Sequence, residues 1–184
     1  YTGGKLHIPT ISTAKSVELI KNAKKKGLNV TCSVSTHHLS LTDNELESFD
    51  SNVKTLPPLR TTKDCKALIK GVENGTIDLI TSDHNPIDIE HKKVEFNQAK
   101  PGTIGLESFF GIAIKYISLD TLIDCITTNP HKIFKTEGSI IQEDKPANIT
   151  LFNPDSKSTF TIENIESTST NSAFIGKELS GKVY

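Results

Sequence analysis

The sequence contains no methionine. A full-length bacterial product begins with one, so a chain that opens Tyr1-Thr2-Gly3-Gly4 is expected to be part of a longer protein. Cysteine is almost as scarce. Cys32, Cys65 and Cys125 are the three present, far apart and without CxxC spacing, which excludes a disulfide framework and a structural zinc knot. Cys32 and Cys125 lie in apolar runs, as buried inert thiols do, and a reducing, cytoplasmic setting fits. A surplus of either charge is also missing: the formal net charge is −1, so nothing points to nucleic acid. No segment has the build of a signal peptide, and no apolar run is long enough to cross a bilayer. What is present is 35% hydrophobic and 23% charged residues over 184 positions, enough for one ordinary globular core.

Strand and helix signals alternate along the first 80 residues. Lys5–Thr10 is a short first strand. Ser12-Thr13 then offers a capping hydroxyl for a helix over Ala14–Lys26, with Val17, Leu19, Ile20 and Ala23 inward and Lys21, Lys24, Lys25 and Lys26 in water. Gly27 stops it. Leu28–Val34, rich in β-branched residues, predicts a second strand, and Thr42-Asp43-Asn44-Glu45 resembles a capping box for a short helix. Pro57-Pro58 marks a rigid loop. Thr61 or Thr62 caps a helix to about Val72, with Ala67, Leu68 and Ile69 inward, and Thr76–Thr81 is a third strand. Such βα units imply an α/β fold with parallel strands. After a polar loop at 84–103 the pattern gives helices near Leu106–Tyr116, Leu119–Thr127 and from Pro130. Beyond Gly138 strands are expected at Asn148–Phe152, Ser158–Ile162 and Gly181–Tyr184, so residues 1–138 and 139–184 are read as two parts.

In parallel α/β architectures functional groups collect where strands end. The three ends carry His7, Thr10, Ser12 and Thr13; Ser35, Thr36, His37 and His38; and Asp83 and His84. A catalytic zinc needs about three His or carboxylate ligands. If His37 and His38 are extended, they point to opposite faces, which leaves one His from each end plus Asp83. Metal binding and plain hydrogen bonding at loop starts both remain open on this basis.

The phrases LHIPTISTA, STHHLSLTD, LPPLRTTKD, GTIDLITSDHNP and KPGTIGLES resemble, in order and spacing, the C-terminal half of a dihydroorotase of the amidohydrolase superfamily, over essentially the whole chain. The resemblance implies a (β/α)8 TIM-type barrel with a small β-domain. On this reading the three strands are the last of the barrel, and residues 139–184 return to the β-domain. It also implies a place in pyrimidine biosynthesis, through zinc-assisted, reversible interconversion of carbamoyl-aspartate and dihydroorotate. Asp83 stands at the position of the proton-shuttling carboxylate, and would ligate metal only if the parent site is metallated. Pro101 and Gly102 match a loop whose backbone touches substrate, although a simple turn explains them equally well.

The same comparison shows three departures. Where the family reads H-x-x-H-x-S-T, this sequence has His7, Thr10 and Ser12-Thr13, so Thr10 replaces a metal-binding His with a poor zinc ligand. Leu56 stands before Pro57-Pro58-Leu59-Arg60 in place of a substrate-binding Asn. Ile87 follows Asp83-His84-Asn85-Pro86 in place of a substrate-binding His. Thr10, Leu56 and Ile87 are thus degenerate site positions, and the chain alone is expected to bind no zinc and turn over no dihydroorotate. Three barrel strands cannot close a barrel that takes about 250 residues, so the expected companions are a missing N-terminal half or another copy. Non-catalytic family members support aspartate transcarbamoylase assembly, which is the partner the resemblance suggests. The alternatives are an active cyclic amidohydrolase completed by an absent half, and a fragment with no function of its own.

Overall fold

A computed structural model describes residues 3–138 and 141–184. The expected opening at Tyr1-Thr2 and the start of the second part at Ser139-Ile140 lie outside the described residues. Strand β1 (Leu6–Ile8) pairs in parallel with β2 (Val30–Ser35), which pairs in parallel with β3 (Leu79–Thr81). Helix α1 (Ala14–Lys25) joins the first two strands and α3 (Thr62–Glu73) precedes the third.

Helix α1 starts where predicted, because Thr13 is extended and its hydroxyl accepts the Ser16 amide at 3.0 Å. Gly27 ends it at φ +74°, a conformation that costs glycine little. Leu19 does not face inward as expected; it is 58% exposed. Two residues beyond Val17 an α-helix has turned about 200°, so Val17, Ile20 and Ala23 share the buried stripe and Leu19 leaves it. In α3 the buried residues are Cys65, Leu68, Gly71 and Val72, while Ile69 packs at the core margin and Ala67 is only half-buried. Gly71 lets α3 approach closely: an added Cβ would meet Ile77 at 3.0 Å and Val17 at 3.1 Å, so those side chains would have to give way.

Several local expectations give way to tertiary contacts. His37 and His38 are not extended but belong to a short helix, α2 (Thr36–Ser40), directly after β2. The Thr42–Glu45 capping box does not form; Asp43–Ser48 is a 3-10 turn, and Glu45 pairs instead with Lys177 at 3.0 Å. The 84–103 loop holds a helical turn, α4 (Ile89–Lys92), and a bridge between His84 and Thr103. The helix expected over Leu106–Tyr116 is trimmed to α5 (Phe109–Ala113). That expected from Leu119 runs as α6 (Leu119–Ile123) through a π-turn at Asp124–Thr128 into α7 (Asn129–Phe134).

The C-terminal strands are also shifted. In place of two short strands at Asn148–Phe152 and Ser158–Ile162 there is one, β4 (Phe152–Thr159), antiparallel to β5 (Glu178–Val183). Its register slips between Asn153 and Lys157, where Pro154 has no amide to offer the ladder. The parallel sheet, α1, α3 and α6 enclose a core containing Val34, Leu68, Ile77 and Leu122. A second core unites Leu41, Val53, Leu59 and Ile112 with Phe160, Phe174 and Leu179, so the antiparallel pair is seated against the α/β part. Burying each such aliphatic or aromatic side chain contributes about 1.5–3 kcal/mol. Among the described residues no helix is long and apolar enough to cross a membrane.

Candidate functional site

The parallel sheet delivers Thr10, the Ser35–His38 turn and Asp83 beyond the C-terminal ends of β1, β2 and β3. Both Thr10 (φ +47°) and Asp83 (φ +46°) adopt the left-handed conformation. It is uncommon for residues with a Cβ, and for β-branched threonine it is an outlier. The Thr10 amide donates to Ser33 Oγ at 3.1 Å and the Ile11 amide to the Ser33 carbonyl at 2.9 Å, which fixes the bend as the chain leaves β1.

Proton positions in the buried turn follow from its partners. His38 Nε2 lies 3.1 Å from the Pro57 carbonyl, which only accepts, so Nε2 carries the proton. Burial holds His38 below the ordinary histidine value, and in the neutral ring Nδ1 is bare; it accepts the Ser35 hydroxyl at 2.6 Å. That leaves Ser35 Oγ to accept from His37 Nε2–H at 2.9 Å. Burial, followed by the neighbouring His38, pushes His37 down to about 3. The result is a one-way chain of neutral donors from His37 through Ser35 and His38 to Pro57, within the buried segment Ser35–Leu39.

Asp83 stands beside this chain. Its Oδ2 is 3.7 Å from His37 Nε2, and burial raises its carboxyl above the ordinary carboxylate value. His84 turns away to other partners. Its Nδ1 accepts the Gly105 and Leu106 amides at 3.2 and 3.3 Å, so Nε2–H donates to Ser167 Oγ at 3.3 Å, and Ser167 donates in turn to Glu107 Oε1. His7 is committed as well: Nδ1 lies 2.9 Å from Thr31 Oγ1, and the ring meets Phe134 edge-on.

These groups do not fit a zinc ion by themselves. The Nε2 atoms of His37 and His38 carry protons given to oxygen acceptors, Thr10 supplies only a neutral hydroxyl, and Asp83 is one carboxylate where about three ligands are needed. Among the described residues no three His, Cys, Asp or Glu side chains converge to hold a metal.

The other predicted positions fall into two places. Gly102 is buried at φ +144°, and an added Cβ would lie 3.0 Å from the side chains of both Asn85 and Ile87. Ile87 and the Pro101-Gly102 loop are therefore in contact. Leu56 is 72% exposed, and the Pro57 carbonyl that follows it accepts from the histidine chain. Arg60 Nε donates to Ser12 Oγ at 3.3 Å. The three cysteines are buried and free, and burial pushes Cys32 and Cys125 up to about 11, in keeping with inert thiols.

Several residues that build this region carried no signal in the sequence. Lys92, 5% exposed, donates from Nζ to the carbonyls of Ser51, Lys100 and Gly102. Asn171, 4% exposed, bonds to both the 83–87 turn and the 101–104 loop. Lys92 sits in the run His91-Lys92-Lys93 and Asn171 in Thr168-Ser169-Thr170-Asn171-Ser172, either of which reads as a solvated surface stretch.

Compared with known proteins, the chain matches no protein-family model. It is 40% identical over 188 residues to a dihydroorotase of Caldicellulosiruptor saccharolyticus, with 99% of this chain and 44% of that protein covered. It is 41% identical over 187 residues to a dihydroorotase of Carboxydothermus hydrogenoformans, with 98% and 44% covered. The chain belongs to the amidohydrolase superfamily. Its fold agrees: a D-hydantoinase from Bacillus sp. AR9 superposes with a TM-score of 0.85 at 26% identity, over 98% of this chain and 43% of that one. The amidohydrolase chain described here thus has the architecture of part of a (β/α)8 barrel with strands of the small β-domain, and spans under half the length of the curated dihydroorotases it matches.

Proposed function

We propose that this amidohydrolase chain is the degraded C-terminal part of a dihydroorotase-type barrel and acts in pyrimidine biosynthesis as a non-catalytic partner. The observation that carries the reading is the state of the strand ends. Asp83, which the resemblance matches to a catalytic carboxylate, has beside it a His37 that spends its Nε2 proton on Ser35, and Thr10 offers no imidazole. Ile87 supports the same conclusion, since it places an aliphatic side chain against Gly102 where a polar substrate contact is expected.

Residues 1–138 then form the barrel part and 139–184 the contribution to the small β-domain. Among the described residues no further strand pairs with β1 or β3, and the proposed continuation of the sheet is a missing N-terminal half or another copy. Aspartate transcarbamoylase is the proposed external partner, in the cytoplasm. The test is turnover of dihydroorotate together with metal content in the protein at its natural length. No turnover and no stoichiometric zinc is expected, and zinc-dependent turnover overturns the reading.

One observation favours a second reading, an active metal-dependent cyclic amidohydrolase with ligands supplied from outside these residues. Asp83 is retained, half-buried, with its carboxyl affinity for protons raised, as suits a proton shuttle. Turnover that is abolished in Asp83→Asn supports this second reading.

A further inference from the structure

We infer that Asn171, on the segment leading into β5, is a positioning residue that fixes the 83–87 turn and the 101–104 loop relative to each other at the strand ends. Its side chain uses its full geometry for this. Oδ1 accepts the Ile87 amide at 3.1 Å, while Nδ2 donates to the carbonyls of Asn85 at 3.0 Å and Gly102 at 3.2 Å. One N–H and two carbonyls surround the amide, so only this orientation satisfies all three.

The backbone of the same residue holds the second loop. The Asn171 carbonyl accepts the Ile104 amide at 3.0 Å and the Thr103 hydroxyl at 3.2 Å, and Thr103 Oγ1 accepts the Ala173 amide at 2.9 Å. Lys92 completes the arrangement. Its Nζ reaches the Gly102 carbonyl at 3.0 Å, so both lone pairs of that oxygen are engaged, and the Gly102 amide donates to the Lys54 carbonyl at 2.8 Å.

All of these Asn171 bonds end on the two loops that meet at Ile87 and Gly102, so the C-terminal segment sets their spacing. Four residues upstream, Ser167 adds the link to His84, next to Asp83. The functional weight of this placement rests on the reading of Gly102 and Ile87 as substrate-loop positions.

Backbone amide exchange in the full chain tests the inference. Asn171→Asp keeps the side-chain shape but turns the two-proton donor into an acceptor facing the Asn85 and Gly102 carbonyls. Exchange at the Ile87, Gly102 and Ile104 amides is expected to accelerate by roughly tenfold or more, as loss of one or two buried hydrogen bonds implies, while amides of β2 keep their rates. Uniform acceleration throughout the chain, or none at those three amides, overturns it. Should the variant fail to fold, the unmodified chain still decides: the three amides must open together with a common free energy, and the Asn171 side-chain amide protons must exchange slowly. Independent opening contradicts the inference. Neither readout depends on turnover, so a failure here is distinct from a failure of the proposed function.

Discussion

Asp83 Oδ2 stands 3.7 Å from Nε2 of His37, near enough to interact electrostatically with the ring N–H and too far to take it from Ser35. The carboxylate is thus placed by its backbone turn, and among the described residues no hydrogen bond at the strand ends depends on it.

Asp83→Asn is therefore expected to leave stability unchanged within about 1 kcal/mol, or to raise it, as for substitutions away from buried networks. Asparagine also tolerates the left-handed backbone that Asp83 adopts. Urea unfolding at neutral pH checks this. A larger loss would show that the carboxylate has a structural partner.

The neutral histidine chain predicts acid sensitivity. The folded value of His37 lies near 3 against an ordinary 6.5, and His38 is shifted in the same direction. Groups whose folded values are lowered contribute stability that is complete above 6.5 and is lost as pH falls, because the unfolded chain binds the protons first. Each buried histidine steepens the loss by up to about 1.4 kcal/mol per pH unit. Asp83 acts in the opposite sense, since its raised folded value favours the fold as pH drops below that value. Denaturant midpoints measured from pH 7 to pH 4.5 should fall, and a flat profile would contradict the neutral chain.

Lys92→Met should cost about 3 kcal/mol, since the buried Gly102 carbonyl and the part-buried carbonyls of Ser51 and Lys100 lose a charged donor at once. Thermal unfolding reads the loss. Gly102→Ala is expected to cost about 2 kcal/mol through left-handed strain and collision with Asn85 and Ile87, with the damage local to the 84–103 loop.

Much of the architecture was legible because local rules and tertiary packing agree there: Thr13 caps α1, Thr61 caps α3, and β-branched Val30–Val34 forms the central strand. Reading failed where distant partners decide. Glu45 is drawn to Lys177 rather than to its own helix start, and Pro154 lies within one continuous strand whose register it disturbs. At the strand ends the sequence named Asp83 and the histidine pair. It could not show that a helical turn brings both rings onto Ser35, because that contact depends on the geometry after β2. Lys92 and Asn171 were invisible for a related reason. Their partners are backbone carbonyls and amides, which leave no residue type to recognise.

Substituting the three positions proposed to be degenerate probes that proposal directly. Thr10→His, Leu56→Asn and Ile87→His, made together in the protein at its natural length, should raise zinc affinity. Unchanged metal content in that variant would count against the role assigned to Thr10.

The most direct test of the central claim is metal stoichiometry measured alongside dihydroorotate turnover in the unmodified protein at its natural length. Substoichiometric zinc and no turnover are the predicted result; one or more zinc ions per chain with zinc-dependent turnover would contradict it.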